Sequence, residues 1–79
     1  MTTIRFFAAA RAAVGVDSLN TSGPTIEAAL GAIDVVDPAR WTALQERCSY
    51  LVDGVTTRDR ATSLDGVEVV DVMPPFAGG

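Results

Sequence analysis

Histidine and lysine are both absent from this 79-residue chain, and cysteine occurs once, at Cys48. Without histidine, and with a single thiol, there is no His/Cys metal cluster and no Ser-His or Cys-His nucleophile pair. The carboxylates fall in turns and on helix surfaces, and nothing in their spacing brings two together in a cleft for acid/base work. Catalysis by the chain alone is therefore not expected, and neither is a bound metal. A lone cysteine excludes an internal disulfide framework and suits a reducing cytosol. Long apolar runs are missing too, and the start, Met1-Thr2-Thr3-Ile4-Arg5, lacks the charged and apolar regions of a secretory signal. The expectation is a soluble, cytoplasmic protein that engages no membrane. Ten acidic residues against six arginines give a net charge of −4, which disfavours nucleic acid and favours a partner with a basic surface.

What is present reads as one α+β domain over residues 1–79. Ile4, Phe6 and Ala8 alternate with Arg5 and Phe7, the period of a strand with one buried face. Val14-Gly15 marks a turn, and Val16 to Thr21 supplies a returning strand, so the first two strands are expected to form a hairpin. After Gly23-Pro24, Thr25 is a helix N-cap, with Ile26, Ala29, Leu30 and Ile33 on one face. A shorter second helix starts at Asp37 and Pro38 and carries Trp41, Leu44 and Cys48 on a common stripe. Tyr50-Leu51-Val52, Asp53-Gly54 and Val55-Thr56-Thr57 read as strand, tight turn and strand. Leu64-Asp65-Gly66 turns the chain into a last strand, whose Val70 and Val72 are expected to face the core while Asp71 and Met73 face outward. A mixed sheet with the main helix packed across one face suits this order.

The chemistry is sought in the tail. Pro74 and Pro75 cannot continue a ladder because neither donates an N–H, so the last strand stops abruptly. Proline pairs favour an extended conformation, and the six residues from Pro74 can project roughly 20 Å at about 3.3 Å each. Gly78 and Gly79 then form an end without side chains, able to enter a space too narrow for other residues. If the first and last strands pair in parallel, Arg5 and Phe7 lie beside Asp71 and Met73 on the helix-free face. Phe7 and Met73, continuing into Phe76, make an apolar docking patch. Cys48, on its apolar stripe, is expected to be a packed core residue and not a sulfur relay.

Together these features resemble the ubiquitin-like β-grasp sulfur carriers, most closely the MoaD family, the small subunit of molybdopterin synthase. The resemblance runs along the whole chain. It is carried by Phe6-Phe7-Ala8 with Arg11 and Gly15, by Pro24-Thr25 leading into Ile26-Glu27-Ala28-Ala29-Leu30, and by Pro74-Pro75-Phe76-Ala77-Gly78-Gly79. One departure concerns register: the family sets its Gly-Asp turn directly before the last strand, whereas here Val67-Glu68 follow Asp65-Gly66.

The resemblance implies that an E1-like adenylyltransferase uses ATP to activate the C-terminal carboxylate, and that a sulfur donor then displaces AMP to leave a thiocarboxylate. Gly79 would carry that group, with Gly78, Ala77 and Phe76 threading the partner's channel. No cofactor is bound by the carrier itself. Sulfur would pass to a pterin precursor in molybdenum cofactor biosynthesis, on the large synthase subunit, within a heterotetramer. Partner docking would fall to Phe7, Met73, Pro74, Pro75, Arg5 and Arg11. Arg11 meets an acidic group on the sheet, an acidic group on a partner, or solvent. Carriers for thiamine thiazole, cysteine or tRNA sulfuration, protein tagging, and an interaction domain whose tail is never activated all remain open on the sequence.

Overall fold

Residues 1–75 are described by the structure, a computed structural model. Strand β1 (Thr2–Phe6) alternates as expected, with Ile4 and Phe6 buried. The alternation ends there: Ala8 has a φ of 50° and opens helix α1 (Ala8–Val14). This corrects the expectation that Ala8 continues the strand and that a turn at Val14-Gly15 closes a simple hairpin. The physical reason is composition. The segment reads Ala-Ala-Ala-Arg-Ala-Ala-Val, and alanine has the highest intrinsic helix propensity. Ala10 and Ala13 are fully buried, their small side chains letting the helix pack closely. Gly15 ends α1 with a φ of 96°, and its N–H donates to the Arg11 carbonyl. Strand β2 (Ser18–Thr21) then pairs antiparallel with β1. The expected ladder therefore exists, with a helix inserted in its connection.

Helix α2 (Ile26–Gly31) is capped by the Thr25 hydroxyl, which accepts from the Ala28 N–H at 3.1 Å. Its first free N–H groups are also satisfied by the chain behind it: Ile26 donates to the Thr62 carbonyl and Glu27 to that of Arg60. Helix α3 (Pro38–Gln45) has the expected cap, Asp37, accepting from the Arg40 N–H at 3.2 Å, with Pro38 at its start. Trp41 on α3 meets Phe6 edge to face at 5.8 Å, a favourable aromatic geometry. Instead of one main helix and a shorter second, the sheet carries three short helices among the described residues. The stripe from Ile26 to Ile33 divides between α2 and the segment after it, because Gly31 is a poor residue for helix continuation; Ile33 still packs against the core from outside the helix.

Strands β3 (Ser49–Val52) and β4 (Val55–Thr57) form the expected hairpin. Asp53 and Gly54 both have positive φ, 47° and 88°, which matches the twist of a two-residue hairpin turn. The last strand, β5 (Val69–Met73), lies in the middle of the sheet, whose order is β2-β1-β5-β3-β4. It runs parallel to β1 and antiparallel to β3. Val70 and Val72 point into the core as expected. Where β5 begins is fixed by a long-range contact: the Asp53 carboxylate accepts from the Glu68 and Val69 N–H groups, the latter at 2.9 Å. That contact sets the register left open by the displaced Asp65-Gly66 turn, pairing Thr3 with Val69 and Phe6 with Val72.

Candidate functional site: the root of the C-terminal tail

The chain leaves the sheet from its central strand. Met73 at the end of β5 is half-buried and pairs with Ser49, Pro74 is buried and Pro75 is exposed. Of the expected arm from Pro74 to Gly79, only Pro74 and Pro75 fall among the described residues. Phe76, Ala77, Gly78 and Gly79, the residues expected to thread a partner and carry the reactive group, lie outside the described residues.

Around this root the structure gathers three of the expected docking residues. Cross-strand pairing places Ser18, Arg5, Asp71, Leu51 and Thr56 in one row on the face away from the core. At the centre of that row Arg5 grips Asp71 along one edge, Nε donating to Oδ1 at 2.5 Å and Nη2 to Oδ2 at 2.9 Å. The hydrogen bond to Asp71, and then its charge, hold the guanidinium pKa above its already high usual value. Phe7 stands beside them as the N-cap of α1, 38% exposed, with its ring 5.8 Å from the Arg5 guanidinium carbon. This is cation–π distance. Asp71 does lie on the outward face, yet it is only 9% exposed; the Arg5 side chain covers it, so the expected outward carboxylate is a buried partner.

Arg11 is not part of this group. It extends from α1 to the loop before β2 and pairs with Asp17 at 3.2 Å, both side chains well exposed. The partner is acidic, but it stands in the loop before β2 and not on the sheet, where one of the alternatives had placed it. A pair so exposed contributes little to stability.

Cys48 is fully buried among the core residues, as expected. Burial pushes its pKa up to about 11, so at neutral pH the thiol is neutral and a poor nucleophile. Tyr50 beside it in β3 is also buried, donates to the Gln45 carbonyl at 3.2 Å, and is pushed up to about 12. Among the described residues no three His, Cys, Asp or Glu side chains are placed to hold a metal ion, and no helix is long and apolar enough to cross a membrane.

Two of these contacts escaped the sequence reading. The Arg5 to Phe7 stacking depends on the chain turning at Ala8, which simple alternation does not foretell. The Asp53 clamp joins residues sixteen apart in the chain, and no local signal marks it beyond the turn residue itself.

Five strands in a mixed sheet, with helices on one side and a C-terminal central strand parallel to the first, define a small α+β protein of the ubiquitin-like β-grasp class. The chain belongs to the ThiS family, whose model matches residues 4–79. This is a family of ubiquitin-like sulfur carriers that includes MoaD, and membership implies a sulfur-carrier role for a small, non-catalytic protein that works with partner enzymes. No curated protein matches the chain.

Proposed function

We propose that the chain is a cytoplasmic sulfur carrier whose C-terminal Gly79 is adenylated and converted to a thiocarboxylate, which delivers sulfur to the pterin precursor of molybdopterin. The observation that carries this reading is the extent of the family match: it runs through Gly79 and so includes the tail as well as the sheet. The Phe6-Phe7-Ala8 start and the Pro74-Pro75 approach favour the molybdopterin branch over the thiazole branch.

The chemistry needs little from the carrier. A carboxylate is a poor electrophile; attack of its oxygen on the α-phosphate of ATP expels pyrophosphate and leaves an acyl adenylate. Sulfur delivered at the oxidation level of hydrosulfide then adds to the acyl carbon, the bond to AMP breaks, a proton is lost, and the sulfur remains on the carrier as an anionic thiocarboxylate. Orientation and charge stabilisation come from the partner's site. The chain supplies a tail root fixed by two ladders and an end with no Cβ at Gly78, where any side chain would meet the wall of a narrow channel. The partners are an E1-like adenylyltransferase, a sulfur donor and the large subunit of molybdopterin synthase, with which the carrier forms a heterotetramer.

The test is the intact mass of the chain after incubation with the E1-like activator, ATP and a sulfur donor. The expected increase is that of one oxygen replaced by sulfur, and the product should then support synthesis when offered to the pterin-converting large subunit. Turnover only with the thiazole synthase would move the chain to thiamine biosynthesis. An unchanged mass, together with indifference to deletion of Gly79, would make it a passive interaction domain.

A further inference from the structure

An activated acyl end is open to any nucleophile within reach, and amines, thiolates and phenolates are the side chains that take such a group. This chain makes none of them available. It holds no lysine, so its six basic side chains are all arginines, whose guanidinium stays protonated and does not attack. Cys48, the single thiol, is 2% exposed, and Tyr50, the single phenol, is fully buried with its O–H donating to the Gln45 carbonyl. Burial also keeps both in their neutral, weakly nucleophilic forms. Ser49 pairs with Met73 and so brings a hydroxyl to the root of the tail. A hydroxyl needs a base to become a nucleophile, and the sequence has neither histidine nor lysine to act as one.

We propose that the chain is an acyl donor that cannot act as its own acceptor: none of its side chains competes with an external sulfur nucleophile for the activated Gly79. This rests on the sulfur-carrier reading above. A copy joined to a lysine of another protein would likewise offer no lysine on which a second copy could build, so such a tag is single and never a chain. Proximity is what makes the missing amine matter. The six residues from Pro74 span roughly 20 Å when extended. Position 58 follows Thr57, which pairs with Tyr50 and through it with Val72, so it stands about two strand spacings, roughly 10 Å, from the last strand. Arg58 is exposed there, its Nη2 donating to the Glu46 carbonyl at 3.3 Å. A lysine in its place would lie within the tail's chain length. Its amine nitrogen would bond to the acyl carbon, the bond to AMP would break, a proton would pass to water, and an amide would remain.

The experiment is intact mass after incubation with the E1-like activator and ATP at about pH 8.5, where roughly 1% of an ordinary lysine is unprotonated. The sulfur donor is first withheld and then added. Wild type, Arg58→Lys, Arg58→Gln and Thr56→Cys are compared; pyrophosphate release shows that each is adenylated, and Trp41 fluorescence that each is folded. Arg58→Lys should yield a chain or a dimer short of one water, and its thiocarboxylate yield should fall at limiting sulfur donor. Thr56→Cys, at an exposed position of β4, should form a thioester that hydroxylamine cleaves. Wild type and Arg58→Gln should give neither product. Self-acylation of the wild-type chain at a mapped side chain overturns the proposal. Absence of the amide or of the thioester in an adenylated variant overturns it too, because the activator's enclosure, and not the chain's own side chains, would then guard the acyl group. Failure of the wild-type chain to be adenylated would instead remove the sulfur-carrier reading, and this inference with it.

Discussion

Replacing Gly15 by alanine tests how α1 is joined to the rest of the molecule, because two separable costs meet at that residue. Its φ of 96° lies where L-residues are disfavoured, at about 1–2 kcal/mol for alanine. A Cβ built there would also stand 2.7 Å from Cγ1 and 3.3 Å from Cγ2 of Val36. Val36 is 72% exposed and free to turn away, so the clash converts to a strained rotamer worth about 0.5–1.5 kcal/mol. The expected loss is about 1.5–3.5 kcal/mol, which in a domain of this size lowers Tm by about 6 °C at the least, at roughly 4–8 °C per kcal/mol. The single, buried Trp41 reports unfolding in urea by fluorescence. Val36→Ala leaves only Cβ, at 3.6 Å, an ordinary contact. In that background Gly15→Ala should cost about 1–2 kcal/mol, the backbone share alone. A Gly15→Ala chain as stable as wild type would refute the conformational argument. An identical loss in both backgrounds would refute the Val36 contact.

Gly78→Ala and Gly79→Ala should melt at the wild-type temperature yet lose sulfur transfer, as measured by thiocarboxylate formation and product turnover; normal transfer in either would sink the threading argument. Gly23→Ala should destabilise by about 1–3 kcal/mol without affecting activation at limiting carrier, since its Cβ would press at 2.9 Å on the Ala29 backbone, which has no side chain to swing aside. The folded chain should be inert to a disulfide reagent at pH 8, with Cys48 reacting only after urea unfolding, because its thiol is pushed up to about 11; rapid labelling of the native chain would contradict its burial. Stability should also fall in alkali. Cys48 and Tyr50 are neutral when folded and have raised pKa values, about 11 and about 12, from reference values of 9.0 and 10.0. Their contribution is therefore complete below about pH 9 and declines as pH rises towards the folded values. Urea midpoints measured from pH 7 to 11 should drop only above about pH 9, and Tyr50→Phe should soften the decline.

Where the signal was short-range, the sequence was sufficient. Thr25 and Asp37 cap the helices they announce, Asp53-Gly54 makes the turn its residues demand, and Val70 and Val72 face the core. The misreading at Ala8 came from an alanine that fits either a strand's buried face or a helix. Periodicity alone cannot separate the two, and helix propensity decided it. The expected main helix ends before Ile33 for a related reason: Ile33 obeys helical spacing but reaches the core from a connecting segment. At the tail root, Arg5 and Asp71 were placed side by side by strand pairing. The depth of Asp71 and the stacking on Phe7 were not legible, because they depend on how one side chain lies across another in three dimensions. The burial of Pro74 was hidden likewise, since proline at a strand end reads as a stop and says nothing of what packs over it.

The central position of β5 has a mechanical meaning. A partner that draws the tail into its active site pulls along the axis of a strand flanked on both sides, by β1 and by β3. Such a load falls on both ladders in shear, so many hydrogen bonds must yield together before the strand slips. At the sheet's edge the same pull would act against a single ladder. On the proposed function the fold would serve as a handle: a grip applied by a partner to the last residues would be borne by both ladders of β5.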